Sequence, residues 1–189
     1  MPSQQLNKGK IQTTPWRFVI GNSEPNPSLE RLCQLSGLAT LNDLANATNQ
    51  DCLLVSLDQV LDQVIQGQLL PLNTIQALGL LVPGDAELED IQAGMAQLQQ
   101  LTGQIVSSIF IDFPVFTDGR GYSLGPLLHR SAWFTGQLGA IGDILQDQIY
   151  FYWRCGFDLI QPRQDQNIQR CQNALNSFTH AYQGSIHQP

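Results

Sequence analysis

Short apolar runs alternate along this chain with segments of helical spacing, and that alternation constrains the fold more than any other feature. From Cys52 the runs are CLLV, LGLLV at residues 78–82, IVSSIFIDF at 105–113, QLGAI at 137–141 and FDLIQ at 157–161. Between them, residues 58–66 place Val60, Leu61, Val64 and Ile65 on one face with Leu57. AELEDIQAGMAQLQQL does the same with Leu88, Ile91, Met95 and Leu98, and Glu87, Glu89 and Asp90 stand near its positive end. A further helix is predicted from about Leu124 to Trp133, with Ser123 as N-cap and Pro126 in the first turn. Asp143 is the expected cap of ILQDQIYFYWRC, which Gly156 ends, and residues 165–182 form the last helix. Upstream, WRFVI is a strand candidate, Ser28 or Asn26 a cap for a helix carrying Leu29, Leu32 and Leu35, and residues 39–51 a weak helix or loop. Strands alternating with helices every 20–30 residues predict βαβ units. The expected fold is α/β: a single open, mostly parallel sheet of about five strands with helices on both faces and an irregular N-terminal segment. At roughly 30 residues per βα unit the chain is too short for a closed eight-unit barrel.

Residues 1–15 read as a flexible tail and residues 16–183 as a single α/β domain. A 42% hydrophobic share suffices for a core without disulfides or metal. The net charge of -7 argues against nucleic acid, which needs a basic face, and against an anionic membrane. No apolar stretch reaches the roughly 18–20 residues of a spanning helix, and the opening residues lack a signal-peptide pattern. A cytoplasmic address is expected, with the scattered Cys33, Cys52, Cys155 and Cys171 as reduced thiols. Charge is uneven. Residues 32–119 carry ten acids and no base, whereas residues 120–189 carry five arginines against four aspartates. A small anion is therefore electrostatically acceptable in the second part.

In open α/β sheets ligands bind in the loops beyond the carboxyl ends of the strands. Two such loops are chemically loaded. Asp118-Gly119-Arg120-Gly121-Tyr122-Ser123 offers a guanidinium between two glycines, which permit unusual dihedrals and close backbone approach, ahead of a helix N-terminus. The alternative is a tight turn in which Arg120 pairs with Asp118 or Asp143. In the second, Asp143, Asp147, Tyr150 and Arg154 recur at helical spacing as one polar stripe, with a cap and a solvated face as the alternative reading. His129, His180 and His187 form no metal-ligand spacing, and neither a dinucleotide fingerprint nor a cluster-binding cysteine set is present. No catalytic residue, metal or cofactor is assigned. Cys155, at a helix C-terminus, reads as a packing residue with a raised pKa.

FPVFTDGRGYSLGPLLHR, GQLGAIGDILQDQIYFYWRCGFD and FTHAYQ together resemble a bacterial family of unknown function, the DUF934 family. The likeness is continuous from about Ile109 to Gln183, with weaker counterparts in LLVSLDQVLDQ and LGLLVPGDAELEDI. Two departures stand out: Gly139 occupies the arginine position of the family's GELRAxGD segment, and Thr179-His180 replace a more usual Ser-Val. Family members carry the label of oxidoreductases of sulfite reduction. The resemblance therefore implies a role in assimilatory sulfur metabolism, with sulfite reductase or its electron donor as partner. Because no redox motif is present, an accessory protein is expected rather than an electron carrier. A small-anion enzyme or sensor using the DGRG loop and a purely structural interaction module are the alternatives.

Overall fold

The computed structural model describes residues 4–13, 16–20, 38–40, 52–58, 60, 75–176 and 186. The chain runs β1 (Gln4–Asn7), β2 (Lys10–Thr13), β3 (Trp16–Ile20), β4 (Leu38–Thr40), β5 (Cys52–Ser56), β6 (Ala77–Pro83), α1 (Leu88–Thr102), β7 (Val106–Phe113), α2 (Arg120–Arg130), β8 (Gln137–Gly142), a 3-10 turn (Gln146–Gln148), α3 (Ile149–Arg154), β9 (Leu159–Ile160) and α4 (Ile168–Ala174). These strands form one nine-stranded sheet in the order β2-β1-β9-β8-β7-β6-β5-β3-β4.

The fold is α/β, but the sheet is larger than the expected five strands. Much of the difference lies in the supposed flexible tail, residues 1–15, where β1 and β2 form an antiparallel hairpin. Leu6 of β1 is fully buried, and β1 pairs antiparallel with β9 through Leu6–Ile160 and Asn7–Leu159. Elsewhere the ladder is parallel from β9 through β8, β7, β6, β5 and β3 to β4. The expected helices around Leu29 and at 61–66, and part of the 165–182 helix, lie outside the described residues.

The described helices α1–α4 lie on one face of the sheet. From β5 to β9 every parallel connection advances one place in the same direction, so right-handed crossovers deliver their helices to one side. Strand parity agrees with this topology. Leu53 and Val55, Leu80 and Val82, Ile109 and Ile111, and Leu138 and Ala140 share a core with Ile91, Leu98, Leu124, Leu128, Ile149 and Tyr152 of the helices. Their alternates Trp16, Phe18, Leu54, Leu81, Phe110 and Ile141 form a second cluster, to which α1–α4 contribute no residue. Long side chains reach across that second face. Trp16 of β3 meets Phe110 of β7 edge-to-face at 5.2 Å although β5 and β6 lie between them. The indole spans that gap by lying over Gly79 of β6, where a Cβ would fall 2.9 Å from it.

Gly139 belongs to this second face, and a Cβ there would come within 2.3 Å of the Phe110 ring. An arginine at this position would have to displace the Phe110 ring.

Candidate functional site

The carboxyl ends of β6 to β9 carry an aspartate in each following loop: Asp85, Asp118, Asp143 and Asp165. Two arginines cross-link them. Arg120 gives Nε and Nη2 to the two oxygens of Asp118 at 3.0 and 2.7 Å, and its Nη1 to Asp85. The backbone N–H of Arg120 also donates to Asp118 at 3.2 Å. Arg163 repeats the arrangement one loop further on, giving Nε and Nη2 to Asp165 at 2.7 and 2.6 Å and Nη1 to Asp143 at 2.8 Å. Bidentate guanidinium–carboxylate pairs of this kind fix geometry as well as charge.

Asp143 is the buried member, with a side chain 9% exposed. Its second oxygen accepts the Phe116 N–H at 3.2 Å, and its own N–H donates to the Phe113 carbonyl at 2.7 Å. Gln148 adds an Nε2 bond to the Phe116 carbonyl at 2.6 Å. The β7–α2 loop is therefore held from three sides, yet Val115 and Phe116 remain 45% and 49% exposed. With Asp147 included, five carboxylates face two guanidiniums along this rim, so its net charge is negative.

The candidate residues divide accordingly. Asp118 and Arg120 pair as one alternative anticipated, with Asp85 as an added partner. Gly119 caps α2 at φ -91, and Gly121 lies inside the helix, so neither uses the left-handed backbone expected of it. Gly121 is a packing residue: a Cβ there would fall 2.6 Å from the Phe113 ring. Ser123 is exposed within α2, which begins at Arg120 rather than after a Ser123 cap, and Pro126 sits in its interior rather than its first turn. Tyr122 stacks at 4.7 Å on Tyr152 and shares a side-chain hydrogen bond with it. Burial raises the pKa of both phenols.

The stripe of Asp143, Asp147, Tyr150 and Arg154 does not form. Asp143 precedes a 3-10 turn and caps no α-helix, Asp147 is exposed on that turn, and Tyr150 is buried. Arg154, in the last turn of α3, lies 5.8 Å over the Tyr150 ring. Cys155 is half-buried, and burial raises its thiol pKa, partly offset by Arg154. Asp85, Arg163 and Asp165 escaped the sequence reading. Their signal is the recurrence of aspartate after successive strands, in PGD, TDG, GD and PRQD.

A family model for a bacterial protein of unknown function matches residues 79–189, more than half of the chain and all of the rim. The chain belongs to the DUF934 family. No curated protein and no solved structure gives a significant match. Among the described residues of this DUF934 protein, no cluster of His, Cys, Asp or Glu could hold a metal ion, and no helix is long and apolar enough to cross a membrane.

The arginine clamps predict a titration signature. Hydrogen bonds from Arg163 draw the Asp165 carboxyl from 3.8 down to about 2, and Arg120 lowers that of Asp118. Both folded-state pKa values lie below the unfolded ones. Their stabilisation is thus complete above about pH 4 and is lost as pH falls through the folded pKa. Both pairs are solvent-screened, so the effect on stability is small. Carboxyl carbon NMR should place the Asp165 midpoint near 2, rising toward 3.8 in Arg163→Gln. A midpoint unmoved by that substitution would mean that the clamp is absent in solution.

Proposed function

We propose that this DUF934 protein is an accessory protein of assimilatory sulfite reduction without a redox cofactor of its own. It docks through the rim at the carboxyl ends of its strands onto sulfite reductase or its electron donor. The observation that carries the docking role is the exposed Val115–Phe116 pair, on a loop fastened by Asp143 and Gln148 beside two closed aspartate–arginine clamps. A pre-fixed aromatic loses little conformational entropy on binding, and aromatic residues dominate interface hot spots. The sulfur-assimilation role rests on the family resemblance alone. The negative rim favours a partner presenting Lys or Arg around an apolar pocket. A small-anion site in the DGRG loop fits less well, because Arg120 would first have to release Asp118 and Asp85.

Tagged protein should co-purify with sulfite reductase or its electron donor from cells grown on sulfate. Phe116→Asp should lower that recovery about tenfold or more, the effect of losing an interface hot spot, with the melting temperature unchanged. Normal growth of a deletion strain on sulfate and on sulfite as sole sulfur source would remove the sulfur-assimilation role. A rise in melting temperature with sulfite or sulfate that Arg120→Ala abolishes would favour the anion-site reading instead.

A further inference from the structure

At the opposite end of the sheet, beside the amino ends of β8 and β9, lies a pocket of about 430 Å³. That volume falls within the range of small-molecule sites, about 300–1,000 Å³. Exposed Ala132 and Phe134, 8% exposed, supply an apolar wall, with Leu128 and Leu138 enclosed behind them. Lys8, Asp158 and His129 supply the charged and polar part.

Each polar group is placed by the fold. Lys8 and Gly9 form the two-residue turn of the β1–β2 hairpin with φ 46 and 76, the left-handed pair that such turns require. Lysine is a poor choice for that backbone, where asparagine or glycine is preferred. The Lys8 N–H donates to the Asp158 carbonyl at 2.8 Å, which brings the turn against the pocket. Its ammonium makes no ion pair among the described residues. Asp158 is only 7% exposed, and its carboxylate accepts the Leu138 N–H at 3.1 Å. His129 Nε2 faces the Gly156 carbonyl at 2.5 Å; a carbonyl only accepts, so this nitrogen carries its proton and is already engaged. The C-terminal end of α2 reaches the same wall and favours a cation beside Asp158.

One unpaired cation at the mouth, one buried carboxylate near a helix C-terminus and an apolar wall are not the complement of a simple anion. The geometry points to a site for a zwitterionic α-amino acid with an apolar side chain. The ligand's carboxylate meets Lys8, its ammonium meets Asp158 and the α2 carboxyl end, and its side chain packs on Ala132 and Phe134. This site is separate from the rim and does not depend on the docking role.

Titration calorimetry with L-leucine and L-phenylalanine tests it, with isocaproate and isoamylamine as probes that each lack one charge. Both amino acids should bind, and each single-charge probe should bind about tenfold more weakly or not at all. Lys8→Gly suits the turn better than lysine does, so it should keep or raise the melting temperature while weakening amino-acid binding about tenfold. Asp158→Asn should weaken the amino acids but not isocaproate. No binding by either amino acid, binding of isocaproate as tight as that of leucine, or undiminished binding by Lys8→Gly would each overturn the assignment.

Discussion

Replacing Gly142 by alanine should cost the DUF934 protein roughly 3–5 kcal/mol of folding stability, the sum of backbone strain and overpacking. Gly142 closes β8 at φ 121, a backbone that side chains rarely adopt. A Cβ there would lie 2.2 Å from the Phe113 carbonyl oxygen and 3.0 Å from Asp112 Oδ1. The Phe113 oxygen cannot retreat freely, because it accepts the Asp143 N–H at 2.7 Å. Relieving the clash therefore breaks the bond that positions Asp143, and the rim loosens with the strand end. Urea unfolding of the wild type and Gly142→Ala measures the difference, and Gly119→Ala is the matched control. Gly119 has φ -91 and nothing within 4 Å of its would-be Cβ, so its substitution should stay within about 0.5 kcal/mol. Equal effects at both glycines would show that the β8 end is not a constrained joint.

The contrast between these glycines also shows what the amino-acid sequence reveals. Buried parallel strands write themselves as continuous apolar runs, which is why CLLV, LGLLV, IVSSIFIDF and QLGAI appear where β5, β6, β7 and β8 form. The hairpin of β1 and β2 is written QQLNKGKIQT, with Leu6 and Ile11 as its apolar members, and reads as polar tail. Its place comes from pairing with β9, more than 150 residues away, which no local pattern records. The side of the sheet taken by α1–α4 is likewise not written locally. Periodicity shows that a helix has an apolar face but not which side of the sheet receives it. That side follows from strand order.

At the rim, the Arg120–Asp118 pair was legible because the residues are two apart. Asp85, 35 residues from Arg120, and Arg163, 20 residues from Asp143, meet their partners only once β6, β7, β8 and β9 lie side by side. DGRG drew notice through its glycines, yet those glycines serve helix capping and packing rather than ligand approach. PRQD, with one arginine and no glycine, supplies the other clamp.

Asp143 should be the most sensitive of the acidic positions. Its carboxylate joins the β7–α2 loop, through the Phe116 N–H, to the loop after β9, through Arg163, and it is nearly enclosed. Asp143→Ala leaves the part-buried Phe116 N–H without this acceptor and a guanidinium with one partner fewer. Together these cost about 2–3 kcal/mol, less than a fully buried ion pair would because Arg163 is 42% exposed. Asp143→Asn keeps an acceptor for Phe116 and loses only the charge toward Arg163, so it should cost about 1 kcal/mol. Asp147→Ala, at an exposed turn position, should stay within about 0.5 kcal/mol. Chemical denaturation of the three variants gives the ranking, and amide exchange at Phe116 locates the cause. Exchange there should accelerate in Asp143→Ala and remain near wild type in Asp143→Asn. If the alanine and asparagine variants instead lost equal stability with Phe116 still protected, the cost would lie in the Arg163 pair alone. The loop bearing Val115 and Phe116 would then hold its shape without Asp143.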